Sequence, residues 1–254
     1  IHCGLVGSEM CIRDRNPTAF EIRHELALST SIHDTHLDPL PGYHRDKIRM
    51  RISTPAMPPE VREIDLTTGT FKQLKVSSPP NGHDNSNYIV QRSYGISGDG
   101  QHIPLTIVHH RDLTPHPESP LLLTGYGAYG MSLTPGFSAS RRTLLTRGVI
   151  HVTAHVRGGM ENGYHWYRSG RMADKDQSFN DFIGAAETLI RDRWTSAGNI
   201  ILHGGSAGGL LVGTTVMRRP ELFRGVIADV PFVDVLETML DADLPLTPPE
   251  WPEW

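Results

Sequence analysis

Residues 200–211, IILHGGSAGGLL, constrain what this chain can fold into more than any other stretch. An apolar, β-branched run suited to a buried strand meets one serine flanked by four glycines, then passes into a helix-forming run. A strand that turns directly into a helix puts the corner residue into strained backbone angles. Its neighbours must then lack side chains for the two elements to pass. Such a turn lifts the serine hydroxyl clear of the sheet edge and aims the unpaired amides of a helix N-terminus at it. Gly204-Gly205-Ser206-Ala207-Gly208 fits the G-x-S-x-G nucleophile elbow, which makes Ser206 the candidate nucleophile. The competing use of the same turn is a glycine-rich cradle that binds phosphate through those amides.

An elbow of this kind needs a parallel sheet, and the surrounding pattern supplies one. Residues 88–94 and 103–109 read as strands around a turn at Ser97-Gly98-Asp99-Gly100. Residues 121–124 are a short apolar run expected of a strand buried on both faces. Residues 138–147 read as helix, 149–156 as strand, 178–191 as helix, 199–203 as strand, 207–217 as helix and 226–230 as strand. In the second helix Phe179, Phe182, Ile183, Ala186, Leu189 and Ile190 recur at helical spacing. Alternating strands and helices predict an α/β fold, a mostly parallel sheet with helices on both faces.

The chain before residue 80 is written differently. Residues 49–54, 61–66 and 71–76 alternate with period two between turn signals, which predicts antiparallel strands. Three such strands leave both edges open and bury little, so they read as the end of a larger all-β array. Residues 77–87, SSPPNGHDNSN, read as a linker. The expected organisation is a tail over residues 1–15, the end of a β domain with its linker over 16–80, and an α/β domain over 81–254.

Both cysteines, Cys3 and Cys11, lie in that tail, IHCGLVGSEMCIRDR, which resembles adapter read-through, with a native disordered tail as the alternative, and is set aside. From Asn16 onward there is no cysteine, which argues against a disulfide-stapled domain and for a reducing compartment, the cytoplasm, with the periplasm as the alternative. Charged residues make up 20% and the net charge is −4, so there is no basic footprint for nucleic acid or an acidic membrane surface. No apolar run approaches the roughly 18 residues of a membrane-spanning helix.

Gly125-Tyr126-Gly127-Ala128-Tyr129-Gly130 matches the dinucleotide fingerprint G-x-G-x-x-G directly after a predicted strand. That site needs a helix opening at the glycines and an acidic residue about 20 positions on. Pro135 and Gly136 break any helix, and no Asp or Glu occurs from Met131 through Met160, so no nucleotide cofactor is expected. Acyl transfer offers the loop another use. A tetrahedral oxyanion needs two donors, one being the amide after the nucleophile, here Ala207. The other comes from the loop after the third strand, where Tyr126 lies. Packing aromatics are the alternative reading for Tyr126 and Tyr129.

At this point LLLTGYGAYG (121–130), HVRGGMENG (155–163), FNDF (179–182), HGGSAGG (203–209), RRPELFRGVIADVPFVDVLETML (218–240) and PLTPPEWPEW (245–254) resemble the prolyl oligopeptidase family, most of all its oligopeptidase B branch. The resemblance is dense from residue 88 to 254 and thinner before it. It implies a β-propeller capping an α/β-hydrolase domain that cleaves short peptides. It further implies Ser206 as nucleophile and the Tyr126 hydroxyl and Ala207 amide as oxyanion hole, with no metal or other cofactor. Cleavage after Arg or Lys is implied with Glu250 as an acid of the substrate pocket. A buried guanidinium needs such a paired, hydrogen-bonded anion. Pro252 stands where some members carry a second glutamate, and Thr134 and Gly136 where some carry an acidic pair for a second basic residue. A single basic residue is therefore expected to matter more than a dibasic site. The alternatives within the family are prolyl-specific and aminopeptidase members.

The remaining titratable residues take plainer readings. His33-Asp34-Thr35-His36 lacks a third metal ligand and reads as a solvated loop. Arg157 and Glu161 read as a surface ion pair, Asp174, Lys175 and Asp176 as a solvated helix start, and His203 as a residue packed in the sheet. A serine hydroxyl needs a base, and the base an orienting acid. In α/β-hydrolases these follow the serine as acid then histidine. Asp229, Asp234, Asp241 and Asp243 follow Ser206, but all 14 histidines precede it. The expectation is that acid and histidine lie beyond Trp254 and that these residues alone are inactive. A hydrolase-like binding module with no catalytic role is the competing class.

Overall fold

A computed structural model describes residues 28, 32–38, 46–79 and 82–254. The tail at residues 1–15 lies outside the described residues, so its reading has no structural counterpart. The chain divides into two compact units, residues 1–88 with 134–140, and residues 89–133 with 141–254.

In the first unit, β1 (Asp34–Asp38), β2 (Lys47–Ser53), β3 (Glu60–Asp65) and β4 (Phe71–Val76) form a four-stranded antiparallel sheet in sequence order. Period-two alternation builds its small core. Met50, Ile52 and Ile64 are buried together, with Leu28, Leu37, Ile48 and Met57 packed against them. Charges pair across the strands: Arg51 donates to Asp38 at 2.7 Å, and Lys47 and Arg49 flank Glu63. A four-stranded meander is the size of one propeller blade. The strand β1 was not expected. DTHLD carries one apolar residue, and pairing with β2 rather than its own pattern makes it a strand, so the loop reading of residues 33–36 is corrected. The predicted linker is also anchored within this unit. His83 Nε2 donates to the Ala56 carbonyl at 2.6 Å, and its ring stacks on Tyr88.

The second unit is a six-stranded sheet in the order β10-β9-β7-β8-β6-β5. Its strands are β5 (Tyr88–Ile96), β6 (His102–His110), β7 (Leu121–Thr124), β8 (Ile150–Ala154), β9 (Ile200–Gly205) and β10 (Phe223–Asp229). β10, β9, β7 and β8 run parallel, and β6 joins β8 antiparallel. The helices are α1 (Ala139–Leu145), whose residues from Arg141 onward fall in this unit, α2 (Tyr164–Arg168), α3 (Asp176–Arg191), α4 (Ala207–Arg218), α5 (Val235–Leu240) and α6 (Thr247–Glu250). Alternate strand residues make the core. Ile103, Leu105, Ile107, Leu121, Leu123, Ile150, Val152, Ile200 and Leu202 are all buried against Phe182, Ala185 and Leu189 of α3 and Leu211 and Val212 of α4. The opposite face is less covered: Leu122, Thr124, Ile201 and His203 are only half-buried. β7 is thus fully buried on one face, not on both as its apolar run suggested. No described helix is long and apolar enough to cross a membrane.

Candidate active site

Ser206 caps the N-terminus of α4 at φ 53° and ψ −120°, in the left-handed region that only glycine enters freely. The corner is fixed from both sides. The Ser206 amide donates to the Asp229 carbonyl at the end of β10, and the Phe232 amide donates to the Ser206 carbonyl, each at 2.9 Å. Close approach explains the neighbouring glycines. A Cβ on Gly204 would lie 2.1 Å from the Gly208 carbonyl oxygen, and one on Gly209 would lie 2.4 Å from Pro231. Ser206 is exposed, whereas Ala207 behind it is buried. The Ala207 amide opens α4, among the first four helix amides that have no intrahelical partner.

The loop after β7 lies against this corner. The Gly125 amide donates to the His203 carbonyl at 3.4 Å, and a Cβ on Gly208 would come within 2.8 Å of the Gly125 carbonyl. No helix follows GYGAYG; the next one is α1, starting at Ala139. The loop instead brings the Tyr126 hydroxyl against Ser206. Burial raises the pKa of this phenol, the interaction with Ser206 pulls it back, and the charges of Glu250 and Glu253 raise it further. A phenol held protonated is a hydrogen-bond donor. Ser206, Tyr126 and Ala207, separated by 80 positions in sequence, are therefore adjacent in space, and Glu250 is near enough for its charge to act on Tyr126.

Glu250 ends α6 and accepts a hydrogen bond from the Tyr129 hydroxyl at 2.7 Å. Burial and that carboxylate together push the Tyr129 phenol far above its usual range. Trp254 Nε1 donates to the same hydroxyl at 3.1 Å. Tyr129 is thus a polar anchor rather than a packing aromatic.

Several residues near the site were misread from sequence. Arg157 and Glu161 are not a surface pair; each is buried with another partner. Arg157 takes the Asp181 carboxylate through Nε and Nη2 and the Asp99 carboxylate through Nη1 at 2.6 Å. Burial would lower its pKa, but these two carboxylates carry it above the ordinary arginine value. Glu161 accepts from the Leu133 amide at 2.9 Å and sits 3.2 Å from His155 Nδ1. Lys175 is not solvated: its ammonium reaches the Gly127 carbonyl. Glu253, beside Pro252, is buried and accepts from Tyr167 at 2.8 Å. His203 does pair within the sheet, its Nε2 lying 2.8 Å from Asp229 Oδ2 on the next strand. Among the described residues no histidine hydrogen-bonds to Ser206, and no group of three or more candidate metal ligands occurs.

A mostly parallel sheet with a left-handed serine at the strand-to-helix corner and donors converging on it defines the α/β-hydrolase class. Residues 135–254 match the model of the prolyl oligopeptidase family. It is 39% identical over 210 residues, or 82% of its length, to dipeptidyl aminopeptidase BI of Pseudoxanthomonas mexicana, covering 29% of that protein. It is 38% identical over 84% of its length to protease 2 of Moraxella lacunata, covering 31% of it. Among solved structures, oligopeptidase B from Leishmania major superposes with a TM-score of 0.88 at 36% identity, over 96% of this chain and 35% of that one. Oligopeptidase B from Trypanosoma brucei, in a closed form with covalently bound antipain, gives 0.87 at 36% identity over 91% and 33%. These structures support the pairing of an α/β-hydrolase fold with propeller-type strands ahead of it. The chain spans about a third of the length of the proteins it matches.

Proposed function

We propose that these residues belong to a serine peptidase that cleaves short peptides after Arg or Lys. Ser206 Oγ attacks the scissile carbonyl carbon, its proton passing to a base. The resulting oxyanion is held by the Tyr126 hydroxyl and the Ala207 amide. The C–N bond then breaks, the amine leaves with the proton, and water releases the acid from the Ser206 ester. Two fixed donors at the developing charge are worth more than any ground-state contact, because they need no reorganisation as the charge forms. Glu250 offers the carboxylate for a basic side chain, and with Thr134 and Gly136 in place of an acidic pair the preference is for one basic residue.

The observation that carries this reading is the convergence of Tyr126 on a left-handed, exposed Ser206, with the Glu250 charge acting on the same phenol. The activity is proposed for the full-length enzyme, since the relatives are about three times as long. The test expresses the full reading frame and compares N-blocked arginyl, lysyl and prolyl amides. Hydrolysis of the basic substrates, abolished by Ser206→Ala, supports the reading; equal or faster prolyl cleavage overturns it. The similarity to a dipeptidyl aminopeptidase favours a second reading. It predicts instead that blocking the substrate's N-terminus stops hydrolysis.

A further inference from the structure

Lys175 precedes α3 in a polar run, Asp174-Lys175-Asp176-Gln177, that looks solvated. Its side chain is nevertheless only 14% exposed. The ammonium touches two parts of the candidate site at once. On one side Nζ donates to the Gly127 carbonyl at 2.5 Å, one peptide from Tyr126. On the other it lies 3.8 Å from Glu253 Oε1 and 5.0 Å from the centre of the Trp254 ring. That Glu253 oxygen is buried and has no hydrogen-bond partner, so the nearby cation is what compensates its charge.

The contacts close into a ring. Trp254 Nε1 donates to the Tyr129 hydroxyl, which donates to Glu250, and the Glu253 amide donates to the Glu250 carbonyl at 2.9 Å. Tyr129 and Gly127 share the loop that carries Tyr126. Ser178 Oγ also leans on the Gly127 carbonyl, at 3.4 Å, and places its shorter bond, 2.7 Å, on Arg157. The lysine is therefore the one charged group on that carbonyl among the described residues.

We propose that Lys175 is a positioning residue that ties the oxyanion loop to the acidic C-terminal segment, so that a single cation sets both Tyr126 and Glu250. This rests on the functional reading above for its catalytic consequence, but the tie itself does not. Burial draws the pKa of the ammonium down to about 8, with Glu253 pulling it back up. The ring is therefore weakened by deprotonation in mildly alkaline solution.

The test uses the full-length enzyme and its Lys175→Met and Lys175→Arg variants, with two readouts. Hydrogen exchange is expected to rise about tenfold in both segments 125–133 and 247–254 of Lys175→Met, as for loss of one charged hydrogen bond, with the rest of α3 unchanged and Lys175→Arg close to the parent. A rise in only one segment, in neither, or across the whole domain overturns the proposal. In steady-state assays Lys175→Met should lower kcat about tenfold on arginyl and neutral substrates alike and raise KM on the arginyl substrate alone. Equal KM changes on both substrates overturn the link to Glu250. If the parent itself ignores arginyl substrates, the basic preference fails, while the exchange result still decides the role of Lys175.

Discussion

The Tyr129 hydroxyl donates to the Glu250 carboxylate at 2.7 Å, although the two residues are 121 positions apart in sequence. The bond holds the carboxylate in one orientation, while Trp254 fixes the tyrosine from its other side. Removing it leaves the charge in place but frees its direction. Tyr129→Phe in the full-length enzyme should therefore raise KM for an arginyl substrate about ten- to a hundredfold, the worth of one hydrogen bond to a charged group, with kcat changed less. An uncharged substrate should show no change in KM. Equal effects on both substrates would mean that Tyr129 acts through the loop rather than through Glu250.

Tyr126 makes a different prediction, because its hydroxyl is proposed to meet charge that exists only in the transition state. Tyr126→Phe should lower kcat by about 10²–10³, the cost of one oxyanion donor, and leave KM nearly unchanged. Since burial and the nearby carboxylates raise its pKa, any loss of the parent's activity from Tyr126 ionisation should set in only above the ordinary phenol range near pH 10. Kinetics of the two enzymes across that range check both points.

The order of strands and helices around Ser206 was legible because each depends on local pattern. Residues 121–124 appear unchanged as β7, and the helix expected over 178–191 appears as α3 with its start two residues earlier. The elbow was legible because its glycines answer to close contacts a few residues away, such as Gly204 on Gly208. What stayed hidden depends on distant partners. Lys175 sits among aspartates and reads as solvated until Glu253 and Trp254 arrive from the far end of the chain. Arg157 and Glu161, four residues apart, invite pairing with each other, and tertiary contacts send them to Asp181 and His155 instead. β1 has almost no strand signal of its own; β2 provides it. The similarity to peptides around Tyr126, Ser206 and Glu250 carried the site further than spacing alone could.

Arg157 and Asp181 predict a stability effect. Asp181 is fully buried and Arg157 nearly so, with a fork of charged hydrogen bonds between them and a further bond from the Arg157 amide to Asp181 Oδ2 at 2.9 Å. Asp181→Ala leaves a buried guanidinium with Asp99 as its one remaining carboxylate, beside the Ser97 hydroxyl, and should destabilise the domain by about 3–5 kcal/mol. Replacing Arg157 by Met in the same background should recover part of that loss, because the uncompensated charge is gone. Urea unfolding of the single and double variants measures both; a double variant no more stable than Asp181→Ala would contradict the account.

His151 gives the pH dependence a definite sign. It lies in β8, buried, with Nε2 3.4 Å from Thr124 Oγ1 and Nδ1 without a partner. Burial is the main cause that draws its pKa from 6.5 down to about 3, with the charges of Arg141 and His203 adding to it. The native imidazole is thus neutral where the unfolded chain's is protonated. The unfolded state binds the extra proton at any pH between about 3 and 6.5, so stability falls as pH is lowered through that window. The slope due to this one group approaches about 1.4 kcal/mol per pH unit. His151→Leu, which removes the titrating group and the orphaned nitrogen together, should flatten the acid limb between pH 6 and 4 by about one proton. Denaturant midpoints of parent and variant across that range supply the comparison, and parallel acid limbs would show that the proton is taken up elsewhere.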